Sequence, residues 1–286
     1  MSFKRITVIL SSYNRPDMLR KSLLSLSKQS VLPYEVIITD DGSNIDIPAK
    51  IGDILPMMNF KLKYIWQPDR GFRLSKARNN AIREVKSDYV VFMDQDIIHT
   101  RGYIAAYAEN MKENEFLTAY ILYLSSEQSK KINEASILSG RFMQDIDVSQ
   151  RKKMIKLYYK DVFYYYQRKF ILRNDHRPKV RGGYFGLPLK YILDINGFDE
   201  NYVGWGWEDD DFGRRLYKNG IVGRTVFKTE FPIHLYHPVN HDGMGGSVNT
   251  EYYNKRVKEI QKGDIRAVAG LKESTPDKEM KIIELN

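Results

Sequence analysis

The sequence contains no cysteine. That absence excludes disulfide scaffolds, zinc–thiolate sites, iron–sulfur clusters and cysteine nucleophiles. Long hydrophobic runs are missing too. The N-terminal apolar stretch reaches only from Ile6 to Leu10, far short of the ~20 residues of a membrane span. No secretory signal is visible, so the sequence reads as that of a soluble, cytoplasmic protein. Neither G-x-x-x-x-G-K-[ST] nor G-x-G-x-x-G occurs, which removes the common phosphate loops. Internal repeats and low-complexity tracts are lacking as well.

What is present is enough for a substantial core. Of 286 residues, 42% are apolar and 13% aromatic, which suits one large domain or two small ones. The formal charge is +9, and all of that excess lies in residues 151–181, which hold eleven Lys or Arg and two Asp. The remainder of the chain is neutral. A nucleic-acid binder would spread its basic residues over a groove with aromatic platforms. Here two of the three tryptophans stand beside acids, which repel phosphate, and no nucleic-acid partner is expected. One basic block suggests a local anionic partner, a membrane surface or an acidic acceptor. The alternative is a helical bundle with a solvated basic outer face.

The first hundred residues alternate between strand and helix patterns. Residues 5–11 (RITVILS), 34–39 (YEVIIT), 62–66 and 88–93 (DYVVFM) read as strands. Helical stretches open at Pro16 and over 74–85. Such alternation predicts an α/β fold with a doubly wound, mostly parallel sheet, and ligands of such sheets bind at the strands' carboxyl ends. Three polar clusters fall there: 11–14, 40–43 and 94–96. The middle, 101–180, reads as mostly helical, with aromatic residues at helical spacing over 155–170. A helix is expected over 212–219, and strands over 221–227 and 233–237. Residues 242–246 (DGMGG) read as a mobile lid or an ordinary connector. The expected organisation is a nucleotide-sugar half (1–110), a helical basic insertion (111–180), an acceptor and catalytic half (181–262) and a surface tail (263–286).

Asp94-Gln95-Asp96 ends the fourth strand. On extended chain, i and i+2 face the same side, so two carboxylates could meet a hard divalent cation such as Mn2+ or Mg2+. The spacing is weak evidence, because three D-x-D matches occur and only this one follows a strong apolar strand. A solvated turn is the other reading. Residues 204–211 (GWGWEDDD) carry four consecutive acids. They could cap a helix N-terminus. Equally, tryptophan faces stack on sugar rings, and neighbouring carboxylates can accept hydrogen bonds from hydroxyls or act as a base. His234 and His237 face opposite ways if both lie on a strand, which argues against one ion binding both. His237 is then the third ligand beside Asp94 and Asp96. Arg70, Arg73 and Arg78 flank a helix start, where they could meet a pyrophosphate or form a solvated face.

Together, VILSSYNRP, VIITDDGS, GFRLSKARNNAI and VVFMDQDII resemble the nucleotide-binding half of family-2 glycosyltransferases of the GT-A fold. The region 180–245 resembles the carboxyl-terminal part of β-1,4-galactosyltransferases and of the N-acetylgalactosaminyl-transferring module of chondroitin-type polymerases. The resemblance implies an inverting, metal-dependent transfer of a hexose or N-acetylhexosamine, of galactose type, from a UDP-sugar. The implied acceptor is a saccharide or lipid-linked saccharide of a surface polysaccharide pathway. It assigns Ser11, Tyr13, Asp41, Arg78 and Asp94 to the nucleotide. Asp96 and His237, with Asp94, fall to a Mn2+ or Mg2+ ion. Asp209 matches the catalytic base and Glu208 its neighbouring carboxylate, while Trp205, Trp207 and Glu208 match the acceptor or sugar site. In the metal motif the galactosyltransferases carry Met where this chain has His234, so the resemblance places His234 near the ion as well. The segment 151–181 is expected to touch the inner face of the membrane. A non-catalytic nucleotide-sugar or glycan-binding module of the same fold is the rival reading.

Overall fold

The structure is a computed structural model that describes residues 5–171, 176–238 and 248–286. The proposed lid at 242–246 lies outside them. Four parallel strands form the first half: β1 (Ile6–Ser12), β2 (Glu35–Asp40), β3 (Lys61–Trp66) and β4 (Tyr89–Asp94), in the order β3-β2-β1-β4. Helix α1 (Pro16–Ser27) follows β1, α2 (Ile47–Ile51) follows β2 and α3 (Leu74–Glu84) follows β3. The strands are apolar on both faces because both faces are covered. Val8, Leu10, Val36, Ile38 and Val91 join Leu19, Leu23 and Leu26 of α1 in one core layer. Ile9, Ile37, Val90 and Phe92 point the other way and pack with Ala81 and Ile82 of α3.

Beyond β4 the chain forms β5 (Ile97–His99), α4 (Tyr103–Asn110), β6 (Glu115–Thr118), β7 (Leu122–Tyr123), α5 (Ser126–Lys131) and α6 (Glu134–Ser139). The long α7 (Val148–Ile171) comes next, then β8 (Tyr184–Pro188) and α8 (Leu189–Asp194). The remaining elements are α9 (Glu208–Lys218), β9 (Val222–Arg224), β10 (Pro232–His234), α10 (Thr250–Lys262) and β11 (Lys281–Glu284). The main sheet runs β11-β3-β2-β1-β4-β8-β6-β9, and β5-β10-β7 form a small second sheet.

Two expectations are corrected here. The region 111–180 is not purely a helical insertion, because β6 enters the main sheet between β8 and β9. The segment 263–286 is not a loose surface tail. Its β11 pairs antiparallel with β3 along the sheet edge, and Ala267 and Leu271 donate backbone bonds to Ile195 and Asn196.

Candidate active site

The carboxyl ends of β1, β2 and β4 lie side by side, with Ser11 in register with Asp94. Ser11 is buried, and its hydroxyl has no partner among the described residues. Gln95, between the two acids, locks the β1 loop. Its Oε1 accepts from Ser12 Oγ (3.0 Å) and Tyr13 N (3.1 Å), while its Nε2 donates to Tyr13 O (2.9 Å). Tyr13 stays partly open to solvent and donates its hydroxyl to Asp69 (3.0 Å). Asp41, at the turn after β2, accepts from Gln67 Nε2 (2.5 Å) and Arg73 N (2.6 Å). Burial pushes its carboxyl up to about 6, against the pull of those two donors.

Of the three arginines expected near a diphosphate, only Arg78 reaches the acids. Arg73 Nη1 pairs with Asp277 (3.0 Å) and Arg70 Nη2 with Glu279 (3.1 Å), both on the C-terminal segment. Arg78, on α3, is fully buried. Its Nη1 lies 2.8 Å from Asp209 Oδ1 and its Nη2 3.5 Å from Asp94 Oδ1. One guanidinium thus joins the two halves of the chain. Burial pushes the Asp94 carboxyl well above the usual range, with Arg78 opposing and Asp96 and Asp209 adding to the shift.

Asp96 collects two histidines instead of one. His237 Nε2 lies 3.0 Å and His234 Nε2 3.7 Å from its carboxylate oxygens. One ligand atom from each of the three residues lies within 4.8 Å of the others. The expectation that the histidines face apart is corrected, because β10 ends at His234 and the period-two argument stops there. Asp94 stands outside this trio and faces Arg78 and Asp209. Asp96 draws His237 toward its charged form, whereas burial holds His234 toward neutral. Arg15 Nη1 stands 3.5 Å from Asp96, so a cationic side chain also borders the trio. A carboxylate with two imidazoles is a donor set that fits a divalent transition cation.

The four acids divide by role in α9. Trp207 precedes the helix with φ +76 and makes no side-chain cap, so the acids occupy the first turn rather than the cap position. Asp211 is buried against Arg215 (2.6 Å). Asp210 binds Lys179 (2.7 Å), Arg214 (2.6 Å) and Tyr253. Burial alone would raise Asp210, but these partners outweigh it and hold it at about 2. Glu208 and Asp209 turn instead toward Arg78 and Asp94. Burial, then the Asp209 charge, pushes Glu208 well above the usual carboxylate range, and its Oε2 has no partner among the described residues. Trp207 stacks on Tyr253 at 4.4 Å and 14°. Trp205 is largely exposed.

Sequence reasoning missed two further elements. A Cβ built on Gly182 would collide with Asp209 Oδ2, and one on Gly183 with Asp94 Oδ2. The glycine pair therefore lets backbone approach both carboxylates, and Gly183 also adopts φ +69. Two adjacent glycines just before a strand were the available signal. Gln95 gave none, since nothing local shows that it bonds across to β1.

A parallel sheet ending in acids, closed by a second half that brings an acid-bearing helix to the same point, is the GT-A architecture of glycosyltransferases. The chain belongs to glycosyl transferase family 2, whose family model matches residues 7–177. A second model, described as the N-terminal domain of galactosyltransferase, matches 168–238. The chain is similar to a chondroitin synthase of Escherichia coli, with 27% identity over 77% of this chain and 33% of that protein. It is also similar to a hyaluronan synthase of Pasteurella multocida, with 28% identity over 81% of this chain and 24% of that protein. The chain thus spans about a third and a quarter of these relatives. Solved structures with the same fold include S. aureus TarS 1–349 in complex with UDP-GlcNAc, at TM-score 0.59, 16% identity and coverage of 90% and 65%. GalNAc-T7 with UDP, GalNAc and Mn2+ aligns at TM-score 0.60, 15% identity and coverage of 90% and 48%.

Proposed function

We propose that this chain is an inverting glycosyltransferase. It moves a hexose or N-acetylhexosamine, of galactose type, from a UDP-sugar to a hydroxyl of a saccharide or lipid-linked saccharide in polysaccharide synthesis. The observation that carries this reading is the convergence on Arg78 of Asp94, from the nucleotide half, and Asp209, beside the two exposed tryptophans. The galactosyltransferase match over 168–238 supports the sugar type. The relatives' printed names support a polysaccharide product.

Asp41 would accept from the base, and Tyr13 would stack beside it. Asp209 would take the proton of an acceptor hydroxyl as its oxygen attacks the anomeric carbon. The bond from that carbon to the diphosphate oxygen breaks on the opposite face, and UDP leaves with the electron pair. Arg78 holds Asp209 in place, and Glu208 orients the acceptor hydroxyl. Trp205 and Trp207 offer faces for the acceptor ring. Asp96, His237 and His234 would hold the cation, and two imidazoles favour Mn2+ over Mg2+. When bound, it supplies positive charge against the diphosphate.

A donor screen tests this reading. UDP or GDP release is followed for a panel of nucleotide sugars, with Mn2+ and with EDTA. Release from one UDP-sugar only when the cation is present is the expected result. Absence of both release and metal-dependent UDP binding would overturn it and favour a binding module.

A further inference from the structure

Four aromatic rings stand on the solvent side of α7. Tyr159, Phe163, Tyr166 and Phe170 are 52%, 61%, 50% and 73% exposed. At ~100° per residue, these four and Lys152, Lys153, Lys156 and Lys160 fall within an arc of about 140°. From Lys152 to Phe170 that stripe is about 27 Å long. The opposite side holds Met154 and Asp161, both buried. Asp161, the one acid of the helix, is neutralised inside by Arg181 at 2.8 Å. Among the described residues, none of the four lysines is paired with a carboxylate. Lys228 adds a fifth cation, 5.3 Å from the Tyr159 ring.

Exposed rings interleaved with lysines match the boundary of an anionic bilayer. The rings suit the depth where headgroups meet acyl chains, and the lysines suit the phosphates above. Other occupants fit less well. A second copy laid on this stripe would face lysine with lysine. A nucleic-acid strand is tracked by a groove, and this face is a single convex helix. Among the described residues no helix is long and apolar enough to cross a membrane. We propose that α7 lies flat on an anionic lipid surface through this stripe. Arg181 ties its inner face to Gly182 and Gly183, the residues that back Asp209 and Asp94.

The test uses the full chain and sedimentation with vesicles of phosphatidylcholine, with and without phosphatidylglycerol. Binding is expected only to the anionic vesicles, and high salt should release it. Two triple variants separate the parts: Tyr159→Ser/Phe163→Ser/Phe170→Ser and Lys152→Ala/Lys156→Ala/Lys160→Ala. Each should weaken partitioning by about tenfold or more, while UDP binding and the circular dichroism spectrum stay unchanged. The proposal is overturned by absence of binding, by equal binding to neutral vesicles or by full binding of both variants. It also fails if wild type forms a dimer that the ring variant dissolves, or if only a nucleic acid competes for the stripe. UDP binding is read separately, so failure here leaves the transferase reading standing.

Discussion

Asp41 shows how one buried carboxyl links binding to pH. Its group titrates at about 6 in the folded protein, above the ordinary carboxylate value near ~4. Between those values the folded chain keeps a proton that the unfolded chain has released. Its contribution to stability is therefore largest in acid and is lost as pH rises through about 6. Nucleotide binding runs the opposite way, since a base N–H is best met by the carboxylate. UDP affinity, measured by calorimetry with Mn2+, should rise with pH through about 6, and Asp41→Asn should remove that part of the rise. An identical profile in the variant would contradict the assignment. Asp211 makes the contrasting case. It is buried on Arg215, and no proposed step uses it. Asp211→Asn leaves that arginine uncompensated and should cost about 3–5 kcal/mol in urea unfolding.

At the scale of elements, the C-terminal strand is the least expected contributor. β11 covers the free edge of β3, and Asp277 ahead of it holds Arg73. Deleting residues 277–286 should leave the rest folded but lower stability by about 1–2 kcal/mol, the scale of a few ladder hydrogen bonds. It should also promote self-association through the bared edge, read by sedimentation velocity. Strands β1, β2 and β4 were legible because each is a short apolar, β-branched run followed by polar turn residues, and β3 through the apolar residues that flank Lys63. The acids at their ends were legible for the same reason, and those of α9 because four acids in a row follow two tryptophans. β6, β10 and β11 are three or four residues long, and each exists through pairing with distant chain. That dependence hid β6 in a stretch with little strand pattern of its own, and it misdirected the reading of His234. Four acids in a row looked like one feature. Only packing reveals that Asp210 and Asp211 pair with cations on or beside α9, while Asp209 meets Arg78 next to Asp94.

The whole molecule brings two halves of one site together. The N-terminal half contributes Asp41, Asp94 and Asp96, the C-terminal half contributes Glu208, Asp209 and the histidines, and buried Arg78 spans them. Each half should therefore fail in its own way. Asp96→Ala should lose the Mn2+-dependent part of UDP binding, and with it the rise in melting temperature that Mn2+ and UDP give together. Unchanged melting behaviour would place the cation elsewhere. Asp209→Asn probes the other half and the central claim at once, through transfer rate and UDP affinity measured on the same protein. The account predicts a fall in transfer of about a hundredfold or more, with Mn2+-dependent UDP binding close to wild type. Transfer at the wild-type rate would contradict it.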